Sequence, residues 1–213
     1  MKKFLALVAL FMLPVTAMAA DYKEGTHYTK VNEQKTSKPE VREFFSFYCP
    51  HCYQFSPLMD KIKKQLPSDT KFVYNHVDFL RGASPMIQQM LSKGVVVAQQ
   101  MKMEKQIMNA IFKYIHVQRA PFSSEKDLRN LFVVNGADGA KFDKLMKSFS
   151  VNSQAKQFKK QQDYFSRKGA LTGVPTVIVN GKYKVEAQGL DRSSRTALED
   201  DYIKLVNYLL TLD

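Results

Sequence analysis

The chain is short of cysteine, with two in 213 residues, and it has no tryptophan at all. Two cysteines make no disulfide framework. A bridge between residues as close as Cys49 and Cys52 would remove little entropy from the unfolded chain, so reinforcing the fold does not explain the pair. Zinc is a poor fit too, because it wants four ligands and His27, His51, His76 and His116 lie scattered, without a second paired motif. Covalent haem attachment asks for His directly after the second Cys, where Tyr53 stands. The apolar run from Phe4 to Val15 contains Pro14 and falls short of the roughly 20 residues that span a bilayer. No internal repeat, low-complexity tract or long linker interrupts the chain.

The N-terminus reads as a secretory leader over residues 1–19. Lys2 and Lys3 precede the apolar run, which ends at the small-x-small pattern Ala17-Met18-Ala19. Export would place the two cysteines where disulfides form and persist. Acidic residues are also scarce, 20 against 32 Lys and Arg, and loss of the leader would remove two Lys to leave a net charge of +10. The basic residues are spread out, with short clusters at Lys61 to Lys64 and Lys156 to Lys160, and are read as solvated helix faces.

Hydrophobic periodicity gives an order of βαβ, a helical block, then ββα. Val41 to Phe47 reads as a buried strand running into Cys49-Pro50-His51-Cys52. A helix is predicted from Pro50, with Phe55, Leu58, Met59, Ile62 and Leu66 on one face and Pro67 as the stop. Phe72 to Val77 is the next predicted strand. Helical stripes follow: Met101, Met108, Ile111, Phe112 and Ile115, then Phe142, Leu145, Met146 and Phe149. Val174 to Val179, the Asn180-Gly181 turn and Lys182 to Val185 form the strongest hairpin signal. A last helix carries Leu198, Tyr202, Leu205, Val206 and Leu209. The helical block is read as an insertion into one α/β domain, with parts at 20–79, 80–162 and 163–213.

A Cys-x-x-Cys opening a helix has a specific chemical logic. Cys49 would sit where unpaired backbone N–H groups and the helix dipole stabilise a thiolate. Cys52, nearly one turn on and on the same side, could close a disulfide or resolve a mixed one. His51 could lower the Cys49 pKa further and so favour the reduced state, which makes the disulfide oxidising.

The segment from Glu43 through Cys49-Pro50-His51-Cys52 to Phe55, with Gly173-Val174-Pro175-Thr176 and Val179 to Tyr183, resembles the DsbA family of thiol:disulfide interchange proteins. The likeness covers essentially the whole chain after the leader. It implies a thioredoxin fold with an inserted all-helical domain, a cis Pro175 facing the cysteines, and a Val174 backbone that pairs with an extended substrate peptide. It also implies that Glu43 relays protons for Cys52, against the plainer reading of a salt-bridged carboxylate. Two positions depart from the pattern, Ser56 and Tyr74, where family members often carry an acid and a lysine.

The expected activity is a monomeric periplasmic dithiol oxidase needing no cofactor or metal. Its partners would be reduced exported proteins and a quinone-linked membrane oxidase like DsbB, not nucleic acid. An isomerase or reductase on the same fold is the rival enzyme, and no dimerisation segment is visible before Val41. A peptide-binding chaperone is the rival from another class. If the positive charge is only a solvated surface, raising salt should leave the oxidation rates of acidic and basic peptides unchanged. A slowdown confined to acidic peptides, as screening shortens the field to about 8 Å, would show instead that charge selects the substrate.

Overall fold

The computed structural model describes residues 22–212, so the leader read at 1–19 lies outside the described residues. The order is β1 (Tyr28–Lys30), β2 (Glu40–Phe45), α1 (Pro50–Gln65), β3 (Lys71–His76), five helices, then β4 (Thr176–Val179), β5 (Tyr183–Val185) and α7 (Arg195–Thr211). The five are α2 (Pro85–Gln100), α3 (Glu104–His116), α4 (Glu125–Val134), α5 (Gly139–Lys147) and α6 (Phe149–Arg167). The strands form one sheet in the order β1-β5-β4-β2-β3. Only β2 and β3 are parallel, as a βαβ crossover through α1 requires, and the remaining pairs are antiparallel.

Several boundaries differ from the sequence reading for physical reasons. Strand β2 stops at Phe45, because Ser46 to Cys49 form a turn closed by the Cys49 N–H on the Ser46 carbonyl at 3.1 Å. Met101 is the C-cap of α2 and not part of the α3 stripe, which is carried by Ile107, Met108, Ile111 and Phe112. Phe149 is the first residue of α6, outside the α5 stripe, and lies 88% exposed. Strand β4 begins at Thr176, leaving Val174 and Pro175 in the loop before it. The three-residue β1 was not anticipated, being too short to show alternation.

The hairpin turn behaves as its sequence dictates. Asn180 and Gly181 both take positive φ, +52° and +63°, which a tight turn between twisted strands demands and which these residue types tolerate. Asn180 is also buried, and its side-chain oxygen accepts the Glu40 N–H at 3.1 Å, fixing β4 against β2.

Buried amides lock the inserted helices onto β3 and the chain just beyond it. The Gln162 side chain of α6 accepts the Asp78 N–H at 2.9 Å and donates to the Asp78 carboxylate at 2.7 Å. Asn75 donates to the Phe158 carbonyl of α6 at 3.1 Å, and Gln88 of α2 donates to the Leu80 carbonyl at 2.7 Å. Within the insertion, Phe132 and Phe142 pack ring against ring at 4.8 Å and both are fully buried. Phe142→Ala should lower stability by about 3–5 kcal/mol in urea unfolding. The loss sits in α4 and α5, so thiol exchange below the unfolding transition should persist.

Candidate active site

Strand β2 ends at Phe45, and the Ser46 to Cys49 turn delivers Cys49 to the N-cap of α1. Its backbone there is extended, with φ −95° and ψ 112°, and its sulfur accepts the Cys52 N–H at 3.2 Å. Pro50 at the first helical position has no N–H to leave unpaired. The sulfur thus takes the place a Ser or Asp oxygen fills at an ordinary N-cap.

The two thiols, both free, are buried to different effect. Cys49 is lowered to about 6. The largest cause is a hydrogen bond from the Cys52 thiol, joined by the backbone N–H groups of Cys52 and His51 and by the His51 charge, against an opposing effect of burial. His51 therefore acts behind Cys52, and its side chain is exposed. Cys52 is 1% exposed, and its pKa is pushed far up by burial and by Cys49. One helix start has produced an acidic outer thiol and an inner thiol that holds its proton.

Val174 and Pro175 lie across from the pair, because the antiparallel register sets Thr176 opposite Phe44 and carries the preceding loop past the end of β2. The Val174–Pro175 peptide bond is cis. As a thiol, Cys49 donates to the Val174 carbonyl at 3.4 Å, and Pro175 offers no backbone N–H.

Beneath the cysteines, Glu43 is 3% exposed and pairs in register with Tyr74 on β3. Burial first, then the charges of Cys49 and Asp60, push its pKa well above the ordinary carboxyl range. Glu43, Ser56, Asp60, Tyr74 and Lys105 line a cavity of about 20 Å³, room for about one water. Ser56 has a local task here. Pro57 inside α1 removes the N–H that would bond the Tyr53 carbonyl, and the Ser56 hydroxyl donates to that carbonyl at 2.9 Å. Tyr74 donates to Asp60 at 3.3 Å, and Asp60 pairs with Lys105 at 3.3 Å. An acid and a lysine therefore stand at this cavity, drawn from α1 and α3.

The sequence alone assigns no role to His76 or His116. His76 is buried and pushed down to about 3 by burial. Its Nε2 accepts the Phe47 N–H at 3.2 Å, so Nδ1 carries the proton toward Ser92 at 2.9 Å. The register pairing Phe45 with His76 sets that imidazole beside the chain leaving β2, a placement that no sequence pattern signals. Among the described residues, no three His, Cys, Asp or Glu side chains converge to hold a metal ion.

The model of the DSBA-like thioredoxin domain matches residues 40–199. The thiol:disulfide interchange protein DsbA of Dickeya dadantii is 35% identical over 214 residues, 99% of each chain. That of Escherichia coli is 34% identical over 212 residues, 98% of each. Among solved structures, Proteus mirabilis DsbA with a non-covalently bound peptide aligns with a TM-score of 0.80 at 34% identity, covering 91% of this chain and 100% of that one. Klebsiella pneumoniae DsbA aligns with a TM-score of 0.79 at 26% identity, covering 91% and 100%. The fold is the thioredoxin fold with helices inserted between β3 and β4, and the chain belongs to the DsbA family of thiol:disulfide oxidoreductases.

Proposed function

We propose that this chain is a periplasmic dithiol oxidase that introduces disulfides into exported proteins. The observation that carries the reading is the unequal pair: Cys49 lowered to about 6 and Cys52 raised far above an ordinary thiol. A substrate thiolate attacks the Cys49 sulfur of the Cys49–Cys52 disulfide. The S–S bond breaks, its electron pair passes to Cys52, and a mixed disulfide joins substrate to Cys49. The substrate's second thiolate then attacks its own sulfur in that mixed disulfide and expels Cys49. The substrate has lost two electrons and the cysteine pair has gained them. Expulsion favours a stable thiolate, which the α1 N-terminus, the Cys52 thiol and His51 provide.

Cys52 leaves as a thiolate in a buried site and needs a proton. Glu43, a buried acid whose pKa is raised by burial and which acts electrostatically on Cys52, supplies it. The non-covalently bound peptide of Proteus mirabilis DsbA supports a peptide substrate for this chain, which would lie extended along the Val174 backbone beside Pro175. The pair is returned to the disulfide by a quinone-linked membrane oxidase like DsbB. No helix among the described residues is long and apolar enough to cross a membrane, and the leader-like N-terminus supports export.

Two measurements test the reading. The folded Cys49 pKa is depressed, so its contribution to the reduced form is fully present above the unfolded thiol pKa of about 8.5 and is lost as pH falls through about 6. Cys52, raised, adds nothing below that unfolded value and opposes stability above it. The reduced protein should therefore melt higher than the oxidised one near neutral pH, with the gap closing as pH drops past 6. An oxidised form that melts higher throughout would mark the pair as an electron donor and favour the reductase or isomerase.

Glu43→Gln addresses the relay. Because the folded pKa of Glu43 is raised, the wild type loses stability as pH rises above the unfolded carboxyl value of about 4.3, and the neutral variant should gain relative to it over that range. Stopped-flow mixing with a reduced peptide should show slower formation of the mixed disulfide in the variant. Unchanged kinetics beside the expected stability gain would leave Glu43 as a buried acid without catalytic weight.

A further inference from the structure

The turn from Ser46 to Cys49 is held at more points than a turn needs. Its closing bond is the Cys49 N–H on the Ser46 carbonyl at 3.1 Å. The Phe47 N–H goes to His76 Nε2 at 3.2 Å, and the Tyr48 N–H to the Ser46 hydroxyl at 3.2 Å. The Phe47 carbonyl faces His116 Nε2 at 2.8 Å. A carbonyl oxygen can only accept, so Nε2 carries a proton and donates. The peptide unit between Phe47 and Tyr48 is the central one of the turn, the unit that the closing bond leaves free to rotate. Here both its ends are fastened, the N–H by Ser46 and the C=O by His116.

His116 also grips the far side of the motif. Its ring stacks on Tyr53, the residue after Cys52, with centroids 5.4 Å apart and planes 6° from parallel. The buried Phe112, one turn earlier on α3, stacks on the same tyrosine at 5.5 Å. One imidazole from the inserted helices thus touches the chain two residues before Cys49 and one residue after Cys52. Among the described residues, no other histidine bonds to or stacks on both flanks.

We infer that His116 is a positioning residue for thiol exchange: by fastening the Phe47 carbonyl and the Tyr53 ring together, it holds the Cys49 sulfur on the α1 N-terminus. The hydrogen bond is the operative contact, because it fixes the turn that presents Cys49. The stack sets the imidazole at the right depth. This role rests on the exchange chemistry proposed above and goes beyond it, since it makes the inserted domain part of the redox centre's geometry.

Two variants separate the contacts. His116→Phe keeps a ring over Tyr53 and loses the donor, whereas His116→Gln loses the ring and can still donate to the Phe47 carbonyl. Oxidised glutathione serves as the probe for exchange with the reduced protein, and thiolate absorbance reports the Cys49 titration. The His116→Phe rate should fall by about tenfold, the scale of a reacting group displaced by a fraction of an ångström, with the thiolate titrating at higher pH. His116→Gln should recover most of both. A His116→Phe protein with wild-type rate and titration would overturn the inference while leaving the exchange reading intact. A wild type that fails to exchange with glutathione would sink the reading itself. Should His116→Phe not fold, the wild type supplies the measurement: the His116 ring resonances should differ between reduced and oxidised protein, and identical spectra in the two states would overturn the role.

Discussion

A helix begins with backbone N–H groups that have no partner within the helix, and something must satisfy them. In this chain the group that does so at the start of α1 is the Cys49 sulfur, which accepts from Cys52 at 3.2 Å. A thiolate is a better acceptor than a thiol, so the cap itself favours the charged form. Placing the second cysteine at the third helical position, on the same side as the cap, brings its thiol within reach as one more donor. That same position turns Cys52 inward among core residues, where its own ionisation is suppressed. The difference between the sulfurs therefore follows from a helix starting at Cys49, and β2, the turn and the Pro175 loop serve to place that start.

The layer beneath the cysteines shows how one constraint displaces another. Pro57 within α1 leaves the Tyr53 carbonyl without its helical donor, and Ser56 answers it. A carboxylate at position 56 could only accept and would leave that carbonyl bare. Tyr74, facing Glu43 across the strand pair, donates to Asp60 instead of bringing a cation up from β3. Charge then returns to the cavity through Lys105 of α3, paired with Asp60 one turn beyond Ser56. Glu43 feels the Asp60 charge as well as that of Cys49, and both push in the direction that burial already sets.

The sequence was most legible where one short pattern implied one geometry. Asn180-Gly181 marked the hairpin, Pro50 the first residue of α1, and the cysteine spacing the chemistry at the helix start. Runs of apolar residues gave the order of elements but misread their ends. Phe47 looked like strand because it is apolar, yet it is buried through the turn by Phe45 and Phe112, at 5.1 and 4.9 Å. Phe149 looked like core because it continues a stripe, but Ser148 caps a new helix and turns it outward. His76 and His116 were not legible as parts of the site. Their meaning lies in contacts across 29 and 69 residues of chain, and periodicity carries no such information.

A residue from an inserted domain can position a redox centre only if the insertion cannot slide against the sheet, and apolar packing alone tolerates small shifts. Here the joint is polar and directional. Gln162 exchanges two hydrogen bonds with Asp78, Asn75 reaches the Phe158 carbonyl, and His76 meets Ser92, all in buried surroundings. Displacing any of them would strand a buried donor or acceptor, at about 1–3 kcal/mol each, so the helices sit in one register on β3. His76 belongs to this joint through one nitrogen and to the active-site turn through the other. The same imidazole that fixes α2 against the sheet thus fixes Phe47 beside Cys49, and α3, carried by that frame, presents His116 to the carbonyl of the same residue.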